Sequence, residues 1–157
     1  MSKARAALAV SAACVTALVG PLPGSSVASA DAVYHSQHIA LSPVAGAPLR
    51  SGFVQNIHTN GPRIYAMERY VLNGATPSTT YSVTLQLFTD TGCSTAIGPF
   101  PSIAFRTNAV GNGVGHLRLV PADIPAGFHG LTIGIVWQVT DDAGLAYQTA
   151  CSTVVLD

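Results

Sequence analysis

The side chains best equipped for chemistry are five histidines, at positions 35, 38, 58, 116 and 129, and a single glutamate, Glu68. Imidazoles bind metals and exchange protons near neutral pH. Here their spacing argues against a ligand set. His35 and His38 are three apart and, on an extended segment, point to opposite sides. No HExxH, HxH or cysteine-rich pattern is present, so neither a metal nor another cofactor is expected. His58 beside Thr59-Asn60-Gly61, and His129 between Phe128 and Gly130, read as turn residues. The chemistry open to them is a loop-assembled site, with His58 joined by His116 or His129. Glu68 lies in an alternating run and reads as a solvent-facing strand carboxylate. Were its face turned inward, it would need a partner (Arg63, Arg106 or Arg118 from another strand) and its proton affinity would suit acid–base work.

Other catalytic patterns are missing. No serine lies in GxSxG, and Ser94 and Ser152 have no adjacent base. The run Asn108-Ala109-Val110-Gly111-Asn112-Gly113-Val114-Gly115 lacks the lysine and the helix of a phosphate-binding loop and holds no carboxylate for calcium. It reads as a hairpin connection with a bulge.

The elements that must position these groups are strands. Tyr81, Val83, Leu85 and Leu87 alternate with Ser82, Thr84, Gln86 and Phe88. Leu131, Ile133, Ile135, Trp137 and Val139 alternate with Thr132, Gly134, Val136, Gln138 and Thr140. A two-residue period is that of a sheet with one face in a core. Shorter runs at 38–41, 53–57, 63–72, 103–107, 114–120 and 146–156 bring the total to about eight. Asn73-Gly74 and Asp141-Asp142-Ala143-Gly144 supply turn chemistry between them. One helical turn is expected around Pro121 to Pro125. The expected fold is an all-β, antiparallel β-sandwich with Trp137, Ile133, Ile135, Leu85, Leu87 and Leu119 in its core. Met67 and the aromatic residues Tyr65, Tyr70, Tyr81, Trp137 and Tyr147 read as core filling rather than a docking face.

Residues 1–30 read as a signal peptide. Lys3 and Arg5 precede an apolar stretch from Ala6 to Val19, and Ala28-Ser29-Ala30 offers small residues for cleavage before Asp31. The stretch is too short and alanine-rich for a membrane anchor, so no membrane span is expected in the 31–157 domain. That domain has five arginines, no lysine and seven acidic groups, for a net charge of about −2. No basic stripe exists to neutralise phosphates, which argues against nucleic acid. Its two cysteines, Cys93 and Cys151, are expected to pair in an oxidising compartment, closing a loop of about 58 residues.

The segment Ala75-Thr76-Pro77-Ser78-Thr79-Thr80-Tyr81-Ser82-Val83 resembles the entry to strand F of fibronectin type III and related immunoglobulin-like domains. Pro77, Thr79 and Tyr81 match that pattern, and Ala75 stands where the family carries leucine. The resemblance implies an immunoglobulin-like sandwich in the broad sense, in which the Tyr81 hydroxyl bonds back to nearby backbone. The order Cys93, Trp137, Cys151 points to a sandwich as well. The whole chain also resembles small exported proteins of actinobacteria. The functional expectation is a secreted, extracellular or cell-envelope binding domain whose partner is an extracellular protein or a cell-wall glycan. The alternative is a small secreted hydrolase built from His58, Glu68, His116 or His129.

Overall fold

A computed structural model of the chain describes residues 35–58 and 66–156. The signal segment with its cleavage point, and Arg63 and Tyr65, lie outside the described residues. Nine strands follow in order: β1 (His35–Pro43), β2 (Ser51–His58), β3 (Ala66–Asn73), β4 (Thr80–Phe88), β5 (Ala96–Arg106), β6 (Gly113–Leu119), β7 (Leu131–Asp141), β8 (Gly144–Thr149) and β9 (Ser152–Leu156). A short 3-10 turn, Pro121–Asp123, falls where the sequence places its helical turn, a second, Ala126–Phe128, follows it, and no α-helix occurs among the described residues.

All pairings are antiparallel, in the order β5-β4-β7-β8-β1-β2-β3-β6, with β9 also on β7. The sheet curls until its two end strands, β5 and β6, lie side by side, so it is nearly closed into a barrel. β1 makes this possible by changing partners. Its first half, His35 to Ala40, pairs with β2, and Leu41 to Pro43 pair with β8.

The run 146–156, expected as a single strand, is two. β8 pairs with the C-terminal half of β7 and β9 with the N-terminal half, and the register slips by one residue between them. The interruption falls at Ala150 and Cys151, where Cys151 leaves the ladder to bond Cys93 in the β4–β5 connection. That connection is organised by Asp90, whose carboxylate accepts backbone N–H bonds from Gly92 (3.0 Å), Ser94 (3.1 Å) and Thr95 (2.7 Å). These bonds, that from Ser94 foremost, hold the Asp90 carboxyl below the ordinary range.

The β5–β6 seam closes through side chains. Ile103 and Phe105 of β5 pack over Gly113 and Gly115 of β6, where a Cβ on Gly115 would stand 2.6 Å from Ile103 Cδ1 and 2.8 Å from Phe105 Cδ1. The glycine excess of the 108–115 segment therefore serves close approach as well as turning. Asn108 closes that loop, its Oδ1 accepting from Val110 N and Asn112 N, and Gly111 (φ 78°) lies against the Ala75 carbonyl. Gly115→Ala is expected to cost about 1–3 kcal/mol by overpacking the seam, measured by chemical denaturation; an unchanged midpoint would show the seam to be loose.

Trp137, Tyr70, Tyr81 and Tyr147 are fully enclosed, together with Ile133, Ile135, Leu85 and Leu119, and Leu87 is half-buried. Met67 instead sits on the outer side of β3, half-exposed, because the inward set of that strand is Ala66, Glu68, Tyr70 and Leu72. The Tyr81 hydroxyl does bond back to nearby backbone, accepting from Thr76 N at 3.2 Å. It then donates to Tyr147 Oη at 3.1 Å, and Tyr147 donates to the Pro48 carbonyl at 2.8 Å. This relay satisfies two phenols that would otherwise be costly to bury.

Candidate functional site in the barrel interior

Alternation along β2 turns Val54, Asn56 and His58 inward, and along β3 it turns Ala66, Glu68, Tyr70 and Leu72 inward. The β2–β3 register sets Asn56 directly opposite Glu68 and His58 opposite Ala66. Side chains so paired have Cβ atoms about 4.5–5.5 Å apart. One wall of the interior is therefore polar: Asn56, His58 and Glu68, all buried.

Glu68 is thus not the solvent-facing carboxylate that its charge suggests. It is 4% exposed, and its partners are neutral. The Tyr70 hydroxyl donates to Oε2, and Trp137 Nε1–H donates to Oε1 from across the barrel at 3.1 Å. Tyr70 also meets Ser102 Oγ of β5 at 3.2 Å, so the network joins β3, β5 and β7. The arginines considered as partners are elsewhere: Arg106 donates to the Ser78 carbonyl, and Arg118 is exposed on β6. With no cation among its described contacts, desolvation by burial prevails over the lowering effect of the two hydrogen bonds. It raises the Glu68 carboxyl from 4.5 to about 7. The same burial, with the adjoining carboxylate, pushes the Tyr70 phenol well above its usual range, so it stays a donor.

His58 is likewise not a turn residue but the buried last residue of β2. Its Nε2 lies 2.9 Å from Asn56 Nδ2. With the amide as donor, the ring nitrogen accepts, which places the neutral ring's proton on Nδ1. Asn56 Oδ1 is buried and has no hydrogen-bond partner among the described residues.

These three residues line a cavity of about 90 Å³. Leu85 and Leu87 of β4, Phe100 of β5, Leu119 of β6, Ile133 and Ile135 of β7, and Val154 and Leu156 of β9 form the remaining walls. Ile124, Pro125 and Phe128, from the β6–β7 connection, cover one side. A smaller space of about 70 Å³ adjoins it, sharing His58 and Val154 and lined also by Gln37. There the first half of β1 and β9 have no backbone pairing, and Gln37 Nε2 bridges to the Thr153 carbonyl at 2.8 Å.

The structure brings His58 and Glu68 into one cavity and leaves the other weighed histidines outside it. His116 is exposed on β6, opposite Arg69 on the outer face, beside a groove lined by Gln55, Ile57, Met67 and Arg118. His129 is exposed after the second 3-10 turn, with Nε2 3.4 Å from the Ile124 carbonyl. His38 stacks on Phe53 with ring centroids 4.1 Å apart. Asn56 belongs to the site but has no mark in the sequence, because an asparagine in a short strand run carries no motif. The signal that points to it is its two-residue offset from His58, which on a strand puts both on one face.

No group of three or more metal-ligating side chains is found among the described residues, and no helix there is long and apolar enough to cross a membrane. Compared with protein-family models, with curated proteins and with solved structures, the chain matches none.

Proposed function

We propose that the chain is an extracellular binding domain whose ligand places a small apolar group inside the barrel, against the polar wall of Asn56, His58 and Glu68. The observation that carries this reading is a space enclosed by aliphatic and aromatic side chains with a few convergent polar groups on one side. Its size suits one branched aliphatic group; an apolar cavity of about 150 Å³ takes benzene. The Cys93–Cys151 bond supports an oxidising, extracellular setting, and the exported character of residues 1–30 belongs to the same proposal. So does the immunoglobulin-like sandwich, supported by the Tyr81-to-backbone bond and by the change of partners along β1. An extracellular protein or a cell-wall glycan would present the apolar group as part of a larger molecule.

The alternative, a small hydrolase, draws support from the convergence of His58 and Glu68 on one cavity and from the raised proton affinity of the carboxyl. Binding is favoured because the groups nearest the carboxylate, Tyr70 and Trp137, both donate to it and hold it in place. The test is methyl NMR during titration with isobutanol. Saturable shifts confined to the methyl groups that line the cavity, those of Leu85, Leu87, Leu119, Ile133, Ile135, Val154 and Leu156 among them, are expected. Shifts restricted to the outer groove near His116, or none at all, would overturn the interior site.

A further inference from the structure

The polar wall accepts more hydrogen bonds than it donates. Asn56 Oδ1 is buried without a partner among the described residues, and Glu68 stands opposite it in the β2–β3 register. A carboxylate has about four acceptor positions, and Glu68 fills two of them with Tyr70 and Trp137. Both donors are neutral, and no cation is hydrogen-bonded to the carboxylate among the described residues. The one nitrogen of this wall available to donate to Nε2 of His58, Asn56 Nδ2, is engaged there.

We infer that the ligand's head group is a donor-rich cation, a primary ammonium, carried on an apolar body of about four or five carbons that fills the cavity beside Asn56 and Glu68. This rests on the interior site proposed above and names its ligand class. An ammonium has three N–H donors and no acceptor, the complement of two side-by-side acceptors. Its charge neutralises the buried carboxylate, and charge-assisted bonds in a site screened from water are roughly twice as strong as neutral ones. A neutral alcohol supplies one donor and leaves the charge unbalanced. An anionic head would face Glu68 with like charge. The branched aliphatic walls, with Ile133, Ile135 and Val154 foremost, take up the body without directional demands.

The experiment compares isobutylamine, isobutanol and xenon on the disulfide-bonded protein at pH 8, observed through the Trp137 indole N–H and the cavity methyl groups. Isobutylamine is expected to bind about ten- to hundred-fold more tightly than isobutanol, the range of a charge-assisted bond. It should also shift the indole signal, because Trp137 shares the carboxylate. Glu68→Gln, which keeps an acceptor for Trp137, should erase that preference while isobutanol and xenon still bind. Equal or weaker binding of the amine, with isobutanol and xenon bound, would overturn the head-group assignment and leave the apolar site intact. A preference that persists in Glu68→Gln would also overturn it. If none of the three probes binds, both proposals fall.

Discussion

Glu68→Gln is expected to raise stability by about 3 kcal/mol at pH 8 while leaving it unchanged near pH 4. The folded carboxyl titrates at about 7, against an ordinary value of 4.5. Between those values the folded state holds a proton that the unfolded state has released. Stability of the natural protein therefore falls as pH rises from about 4.5 to about 7, and above 7 the loss is complete. Glutamine occupies nearly the same volume and never charges. Its carbonyl accepts from Trp137, and its amide donates to Tyr70, whose hydroxyl turns to Ser102 Oγ 3.2 Å away. His58 lines the same cavity and is retained in both proteins. Glu68→Ala is the contrasting variant. It leaves the buried Trp137 indole N–H without an acceptor, at about 1–3 kcal/mol, and is expected to destabilise most at low pH, where the natural carboxyl is neutral. Urea denaturation of the three proteins from pH 4 to pH 8 tests this. Parallel profiles for the natural protein and Glu68→Gln would show that the carboxyl is hydrated.

Removal of the Cys93–Cys151 bond is expected to lower stability by about 4 kcal/mol, the chain-entropy value for a closed loop of about 58 residues. For a domain of this size that is a fall of about 15 °C in Tm. The effect has a definite location. β9 has five residues, pairs in the sheet with β7 alone among the described strands, and is bonded to β1 through the Gln37 side chain. The disulfide fixes the start of that strand to the β4–β5 connection. Val154 and Leu156 line the cavity, so freeing β9 opens the interior to water. In Cys93→Ser/Cys151→Ser, hydrogen exchange should rise first at 152–156, and isobutanol binding should weaken with it. A loss of protection spread evenly over the sheet would show that the bond acts on the unfolded chain only.

Much of this architecture is legible in the sequence because strand alternation is a local property. Tyr81, Val83, Leu85 and Leu87 announce one buried face, and the structure buries it. Trp137 and its alternates Ile133, Ile135 and Val139 do the same for β7, whose first residue, Leu131, is exposed. The cysteine pair follows from counting, and the Tyr81 bond from a short local pattern. The site was hidden for a physical reason. In β3 both alternating sets are mixed, Ala66, Glu68 and Tyr70 against Met67, Arg69 and Val71, so the pattern does not say which set is inside. The decision comes from Trp137, far away in sequence, whose indole N–H requires an acceptor inside the barrel. Asn56 and His58 were obscured similarly, since turn chemistry just after His58 masked the end of a strand. The break in 146–156 is equally non-local, set by a bond to Cys93.

The change of partners along β1 bears on when the chain is able to fold. Leu41 to Pro43 find their backbone partners at Tyr147 to Thr149, near the opposite end of the polypeptide. Topologies dominated by such distant pairings fold in milliseconds to seconds, far more slowly than those assembled from neighbours. A nascent chain emerging from the ribosome has no means to complete the ring until nearly all of it has been synthesised. Until then Leu41 to Pro43 lack the backbone partners that complete the sheet.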